Sequence, residues 1–156
     1  MPSIRKGVSE DAEWLASRLR SADLRELAAL TDITPLDALL LSLRSGPSWT
    51  CADDAGKPFA LYGQGGGAPW MLASDGLEDH WRWFLRNTKR IVADMQGDIP
   101  VIANAVDARN TVHIRWIQWA GFTLSDPINS PSGLPFIPFY RRKPCASPER
   151  VPSLGW

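Results

Sequence analysis

Residues 110–122, NTVHIRWIQWAGF, place a histidine, an arginine and two tryptophans on what their spacing predicts to be one short helix. His113 is the group that could do chemistry, because an imidazole titrates near neutrality and can accept or give a proton. On a helical wheel it falls between Trp116, Ala120 and Ile117, inside an apolar stripe. It therefore reads first as a wall histidine with its hydrogen bonds satisfied, and as a catalytic group only if the chain is an enzyme. Upstream, SDGLEDHW (74–81) gathers three carboxylates, of which Asp75 is the second candidate for proton transfer. The two cysteines, Cys51 and Cys145, stand far apart in no metal-ligand spacing, so no metal site is expected and both read as free thiols of a reducing compartment.

The elements that must position these groups follow from periodicity and punctuation. SIRKGV (3–8) reads as a strand, and Ser9 as the cap of a helix over 10–30 with a break near Ser21. TPLD (34–37) starts another helix with Thr34 as cap and Pro35 at its first position, ending at Gly46-Pro47. SWTCAD, KPFALYG and PWMLAS are apolar runs divided by turn residues, the pattern of a three-stranded antiparallel meander. Trp81, Phe84, Leu85, Thr88, Ile91, Val92 and Met95 form the continuous stripe of a long buried helix that Gly97 ends. IPVIANA (99–105) is apolar on both faces, as a central strand is. Asn110 or Thr111 caps the helix carrying His113, and Gly121 stops it. FTLS and PFIPFY (135–140) are the last strands. The predicted order is β-α-α-β-β-β-α-β-α-β-β, an α/β (α+β) mixed sheet covered by helices, in a single domain over 1–143 followed by a proline-rich tail over 144–156.

The 156 residues carry 17 basic and 17 acidic side chains. That balance gives no global pull toward nucleic acid or an anionic membrane. No apolar run approaches the roughly 18 residues a span needs, and the N-terminus lacks a signal-peptide apolar region. A cytoplasmic location, unless a particle packages the chain, is the expectation. The eight tryptophans read as packing material first.

The order of elements, with Asn110, His113, Trp116-Ile117 and Gly121-Phe122 in register, resembles the GCN5-related N-acetyltransferase (GNAT) fold. More narrowly, WMLASD (70–75) together with NTVHIRWIQWAGF resembles the internal virion protein family of T7-type phages, which is GNAT-like and associated with virion assembly. The resemblance implies a phage virion-assembly or internal virion accessory protein, present in the host cytoplasm during infection or in the virion, with other virion proteins as partners. The alternative it implies is an active acyl-CoA-dependent N-acetyltransferase acting on an amine.

An acetyltransferase of that kind needs backbone N–H groups to cradle a diphosphate, a splayed strand to hold the thioester, a base and an acid. The cradle position here holds one glycine, Gly76, and the carboxylates of Asp75, Glu78 and Asp79. Each would repel a phosphate about 5 Å away by about 1 to 3 kcal/mol. The glycine run GQGGGAP (63–69) lies between two strands with no helix after it, so it reads as a hairpin loop and not as a phosphate loop. Where the resemblance implies an acidic tyrosine, the chain has Ile117, which cannot donate a proton. No cofactor is therefore expected. If the enzyme alternative holds, the cofactor is acetyl-CoA. Trp70, Met71, Leu72, Ala73 and Ser74 would then bind its pantetheine arm, Asn104 and Asn110 would anchor it, and His113 or Asp75 would move the proton. Arg82, Arg86, Lys89 and Arg90 form a basic strip on the outer side of the long helix, a solvated face or a contact for nucleic acid or an acidic partner. Trp83, expected to be exposed beside that strip, reads as an anchor for a protein partner.

Overall fold

The computed structural model describes residues 1–144, so all but the first residue of the predicted tail lies outside the described residues. Strand β1 (Ser3–Lys6) leads into helices α1 (Ser9–Ala16), α2 (Ser21–Leu30) and α3 (Pro35–Ser45). The predicted break near Ser21 is thus a full interruption. Thr34 caps α3 as its sequence predicts, accepting from the Asp37 N–H at 3.2 Å. Ser9 does not cap α1. Val8 occupies the cap position, and its N–H donates to the Asp11 carboxylate at 3.1 Å. Asp11 is buried for a tertiary reason, receiving two 2.7 Å hydrogen bonds from Arg5 and one of 2.6 Å from the Thr50 hydroxyl.

The meander is present as β2 (Ser48–Ala52), β3 (Pro58–Gly65) and β4 (Ala68–Ala73), with β1 on its outer edge in the order β1-β2-β3-β4. The glycine run is the β3–β4 turn: Gly65 pairs with Ala68, leaving Gly66 and Gly67 at φ +57° and +86°. Two successive positive φ values are what a mirror-image two-residue hairpin turn demands, and glycine meets that demand without strain.

The predicted long helix is three pieces, α4 (Gly76–Asp79), α5 (Trp81–Arg86) and α6 (Thr88–Gln96). The breaks fall at His80 (φ −113°, ψ 17°) and Asn87 (φ −95°, ψ 4°). The Asn87 side-chain amide donates to the Trp83 carbonyl at 2.8 Å, the local competition for backbone groups that makes Asn a poor helix-interior residue. The apolar stripe survives the breaks: Phe84, Thr88, Ile91, Val92 and Met95 are buried. Trp83 is not the free anchor its position predicts. It is half-buried, edge-on to Phe59 with ring centroids 5.9 Å apart.

Strand β5 (Val101–Asp107), helix α7 (Thr111–Trp119), and strands β6 (Thr123–Leu124), β7 (Ile128–Asn129) and β8 (Pro135–Arg142) complete the described chain. The expected single mixed sheet is two sheets in which every strand pairing is antiparallel; β8 lies between β5 and β6 in the second, and β7 also pairs with β8. Two apolar clusters cover opposite faces of the first sheet. Tyr62, Met71 and Ala73 face α5, α6 and α7, while Leu61 and Leu72 face α1 and α3, the period-two alternation of a strand buried on both sides. Ala29 of α2 packs on Ala105 and Phe136 of the second sheet. Helix α2 therefore bridges the two sheets, and that placement builds the site.

Candidate functional site

Strands β4 and β5 are neighbours without being paired. They meet at one end, where Ala103 N–H donates to the Gly67 carbonyl at 3.0 Å and the Asn104 side-chain amide to the Pro69 carbonyl at 2.8 Å. Beyond that point the edges part, and α2 fills the gap with its own polar groups. Asp23, fully buried, accepts from Ala73 N–H at 2.9 Å, while Arg20 N–H donates to the Ala73 carbonyl at 2.9 Å. Glu26 accepts from Asp107 N–H at 2.7 Å on the other edge. Asn104 closes one more group, its side-chain oxygen accepting from Ala105 N–H at 2.8 Å. Backbone groups alternate direction along a strand, so with Ala73 facing the gap, Met71 and Pro69 face it too. Of the β4 edge over Trp70–Ala73, the Met71 backbone is what remains open.

Two cavities border this splay. The larger, about 120 Å³, is lined by residues that include Glu26, Trp70, Met71, Asn104, His113 and Phe139. The smaller, about 30 Å³, lies toward Met95 and Trp116 and shares Trp70, Met71 and His113 with it. His113 is half-buried at the start of α7, with its backbone N–H donated to the Asn110 side-chain oxygen at 3.3 Å. The wall position is as expected, but the satisfied hydrogen bonding is not: Nδ1 is buried without a partner. Instead, one ligand-type atom each from His113, Asp23 and Glu26 lie within 4.8 Å of one another.

The electrostatics of this trio follow from burial. Removal from water pushes the Glu26 carboxyl up to about 7, helped by the nearby charges of Asp23 and Asp107 and opposed by the Asp107 N–H. Burial also pulls His113 down to about 4, against the attraction of Asp23. At neutral pH the imidazole is uncharged and Glu26 is poised near its midpoint. Asp23 is held in a two-pronged contact by Arg20, with hydrogen bonds of 3.1 and 3.2 Å.

The remaining predicted site residues are not gathered there. Asp75 is exposed at the start of α4 and lines neither cavity, so it is not beside His113. Ser74 donates its N–H to the Phe59 carbonyl and its hydroxyl receives Gly76 N–H at 3.2 Å. Asn110 caps α7 instead of lining the larger cavity. The turn at Gly76 spends its donors on itself: Leu77 N–H goes to Ser74 O and Glu78 N–H to Asp75 O, in a helix four residues long. Glu78 and Asp79 are exposed beside it. Tyr62 cannot stand in as an acid, because it is fully buried and donates to Asp94 at 2.7 Å, with burial pushing its phenol well above the usual range. Asp23 and Glu26 were missed by sequence reading. Their only signal is an i, i+3 carboxylate pair in SADLRELAAL, on a helix whose exposed face would carry such a pair anyway.

The sequence matches no protein-family model and no curated protein. Solved structures do match. Ribosomal-protein-S5-alanine acetyltransferase from Vibrio fischeri superposes with a TM-score of 0.65 at 15% identity, covering 94% of this chain and 96% of that one. The aminoglycoside acetyltransferase AAC(6')-Ib in complex with ribostamycin and coenzyme A gives 0.64 at 16% identity, over 91% and 93%. A GNAT superfamily phosphinothricin acetyltransferase from Sinorhizobium meliloti in complex with acetyl-CoA gives 0.64 at 10% identity, over 97% and 93%. The fold is that of the GNAT acetyltransferases.

Proposed function

We propose that this chain is a virion-assembly or internal virion accessory protein of a T7-type phage that keeps the acetyltransferase fold without its coenzyme chemistry. One observation carries the second half of that reading. Asp23, Glu26 and Asn104 occupy the backbone N–H groups of Ala73, Asp107 and Ala105 along the splay. A pantetheine arm bound there would have to displace these hydrogen bonds, two of them to the carboxyl groups of Asp23 and Glu26, where a bond to an ionised acceptor is worth about 1.5–3 kcal/mol. The self-satisfied turn at Gly76, flanked by Asp75, Glu78 and Asp79, adds to that cost where a diphosphate would rest. The phage context is supported by the WMLASD and NTVHIRWIQWAGF segments. Other virion proteins are the proposed partners, in the host cytoplasm or the particle. Arg82, Arg86, Lys89 and Arg90 are exposed on α5 and α6 and offer a basic contact to them or to packaged nucleic acid; Arg90 also lies 3.9 Å from Asp94. No helix among the described residues is long and apolar enough to cross a membrane.

Two measurements test the reading. Calorimetric titration with acetyl-CoA is expected to show no saturable heat at millimolar ligand, and sedimentation of infected-cell lysates is expected to carry the protein with particles or phage proteins. Micromolar coenzyme affinity, or a protein that never associates with either, overturns it.

A second reading, an acyl-CoA-dependent N-acetyltransferase acting on an amine, is favoured by Glu26. A carboxyl raised to about 7 in the splay has the proton affinity a general base for an ammonium substrate needs. On that reading acetyl-CoA is the cofactor, the open Met71 backbone faces the thioester, and Glu26, not Asp75, takes the proton.

A further inference from the structure

We propose that Asp23, Glu26 and His113 form a binding site for a divalent first-row transition metal ion. The three residues offer two carboxylate oxygens and an imidazole nitrogen within 4.8 Å of one another. Bonds of about 2.1 Å need ligand atoms no more than about 4.2 Å apart, so side-chain closure of about 0.6 Å at the widest completes the set. Two carboxylates and one imidazole form a mixed oxygen–nitrogen set suited to zinc, manganese, iron or cobalt more than to magnesium or calcium.

A second observation points to a ligand. His113 Nδ1 is buried with no hydrogen-bond partner, and leaving such an atom unmade costs about 1–3 kcal/mol. Of the 144 described residues, Trp70 and Asn110 are the others with an orphaned buried side-chain nitrogen, and Trp70 lines the same cavity as His113 and Glu26. That cavity, about 120 Å³, has room for the water molecules that complete a three-ligand sphere.

The surroundings already fix the ligands as outer partners of a metal site do. Asp107 N–H holds Glu26 Oε1 and leaves the other oxygen uncommitted. Asn110 fixes the first turn of α7, and so the base of the His113 side chain. Asp23 accepts three hydrogen bonds, from Arg20 twice and from Ala73 once, which leaves one of its four acceptor positions open. Arg20 also lowers the net negative charge of the trio, so the site is not an acidic patch collecting any cation. The ion would tie α2 to α7 across the splay, whether or not a coenzyme binds.

The test titrates Zn²⁺ and Co²⁺ into the chelator-stripped full chain by calorimetry, with Co²⁺ absorption as an independent readout. The expected result is one saturable site per chain, a raised unfolding temperature and a visible Co²⁺ band. Glu26→Gln and His113→Ala are each expected to weaken binding by about 100-fold or more, beyond the 10–100-fold typical of outer partners. Glu26→Gln can keep the Asp107 hydrogen bond and carries the test should His113→Ala fail to fold. His80→Ala and Cys145→Ser, which remove the other histidine and the cysteine beyond the described residues, are expected to bind as the parent does. No saturable binding, or binding lost with His80 or Cys145 and kept without Glu26, overturns the proposal.

Discussion

Glu26→Gln is the most informative single change, because the structure sets both the size and the sign of its effect on stability. The carboxyl rises from an ordinary 4.5 to about 7 on folding. In that interval the unfolded chain has lost the proton while the folded chain keeps it, so stability falls as pH rises. The favourable contribution is fully present below about 4.5 and gone above about 7. Two and a half units at about 1.36 kcal/mol each give a ceiling of about 3 kcal/mol, and the partial exposure of the side chain brings this to about 2 kcal/mol. Glutamine can accept the Asp107 N–H and never ionises. The variant should match the parent near pH 4.5 and exceed it by about 2 kcal/mol at pH 8, or roughly 4–8 °C in unfolding temperature. Urea unfolding at both pH values, in chelator, measures this. A difference that does not change with pH, or a variant weaker at pH 8, refutes the account of Glu26 burial.

Other expectations follow from single contacts. Asp11→Ala strands the Arg5 guanidinium and the buried Thr50 hydroxyl and should cost about 2–4 kcal/mol by urea unfolding. Arg5, Thr50 and the Val8 N–H hold the Asp11 carboxyl below its usual range against the cost of burial, so its contribution is present above about 3.8 and should fade as pH falls through the depressed value, measurable by acid titration of the folded signal. Phe84→Ala empties the contact between Trp81 and Trp116 and should cost about 3–5 kcal/mol by the same unfolding measurement. Gly63→Ala would drive a Cβ into the Pro47 carbonyl oxygen, a backbone atom that cannot swing away, and should lower the unfolding temperature by several degrees for about 1–3 kcal/mol of strain.

The fold was readable where local chemistry and tertiary packing agree. The stripe from Trp81 to Met95, the Thr34 cap, the meander and the glycine turn each repeat one signal at two levels. The helix breaks at His80 and Asn87 were not readable, since neither residue is a strong breaker and the apolar period runs through both. His113 was visible as a candidate, but its partners sit about ninety positions earlier, and only the bridging of two sheets by α2 brings them together. The same holds for Trp83, whose partner Phe59 is set by the path of β3. The splay and its closure are likewise long-range facts, built from backbone groups that carry no residue signature.

The central claim is that the chain's own side chains hold the polar edge of the splay. Backbone amide resonances of Met71, Ala73, Gly76, Leu77 and Asp107, followed while coenzyme A is added to millimolar concentration, test it most directly. The account predicts that all five stay where they are. Saturable movement of Ala73 and Asp107 at micromolar coenzyme would contradict it.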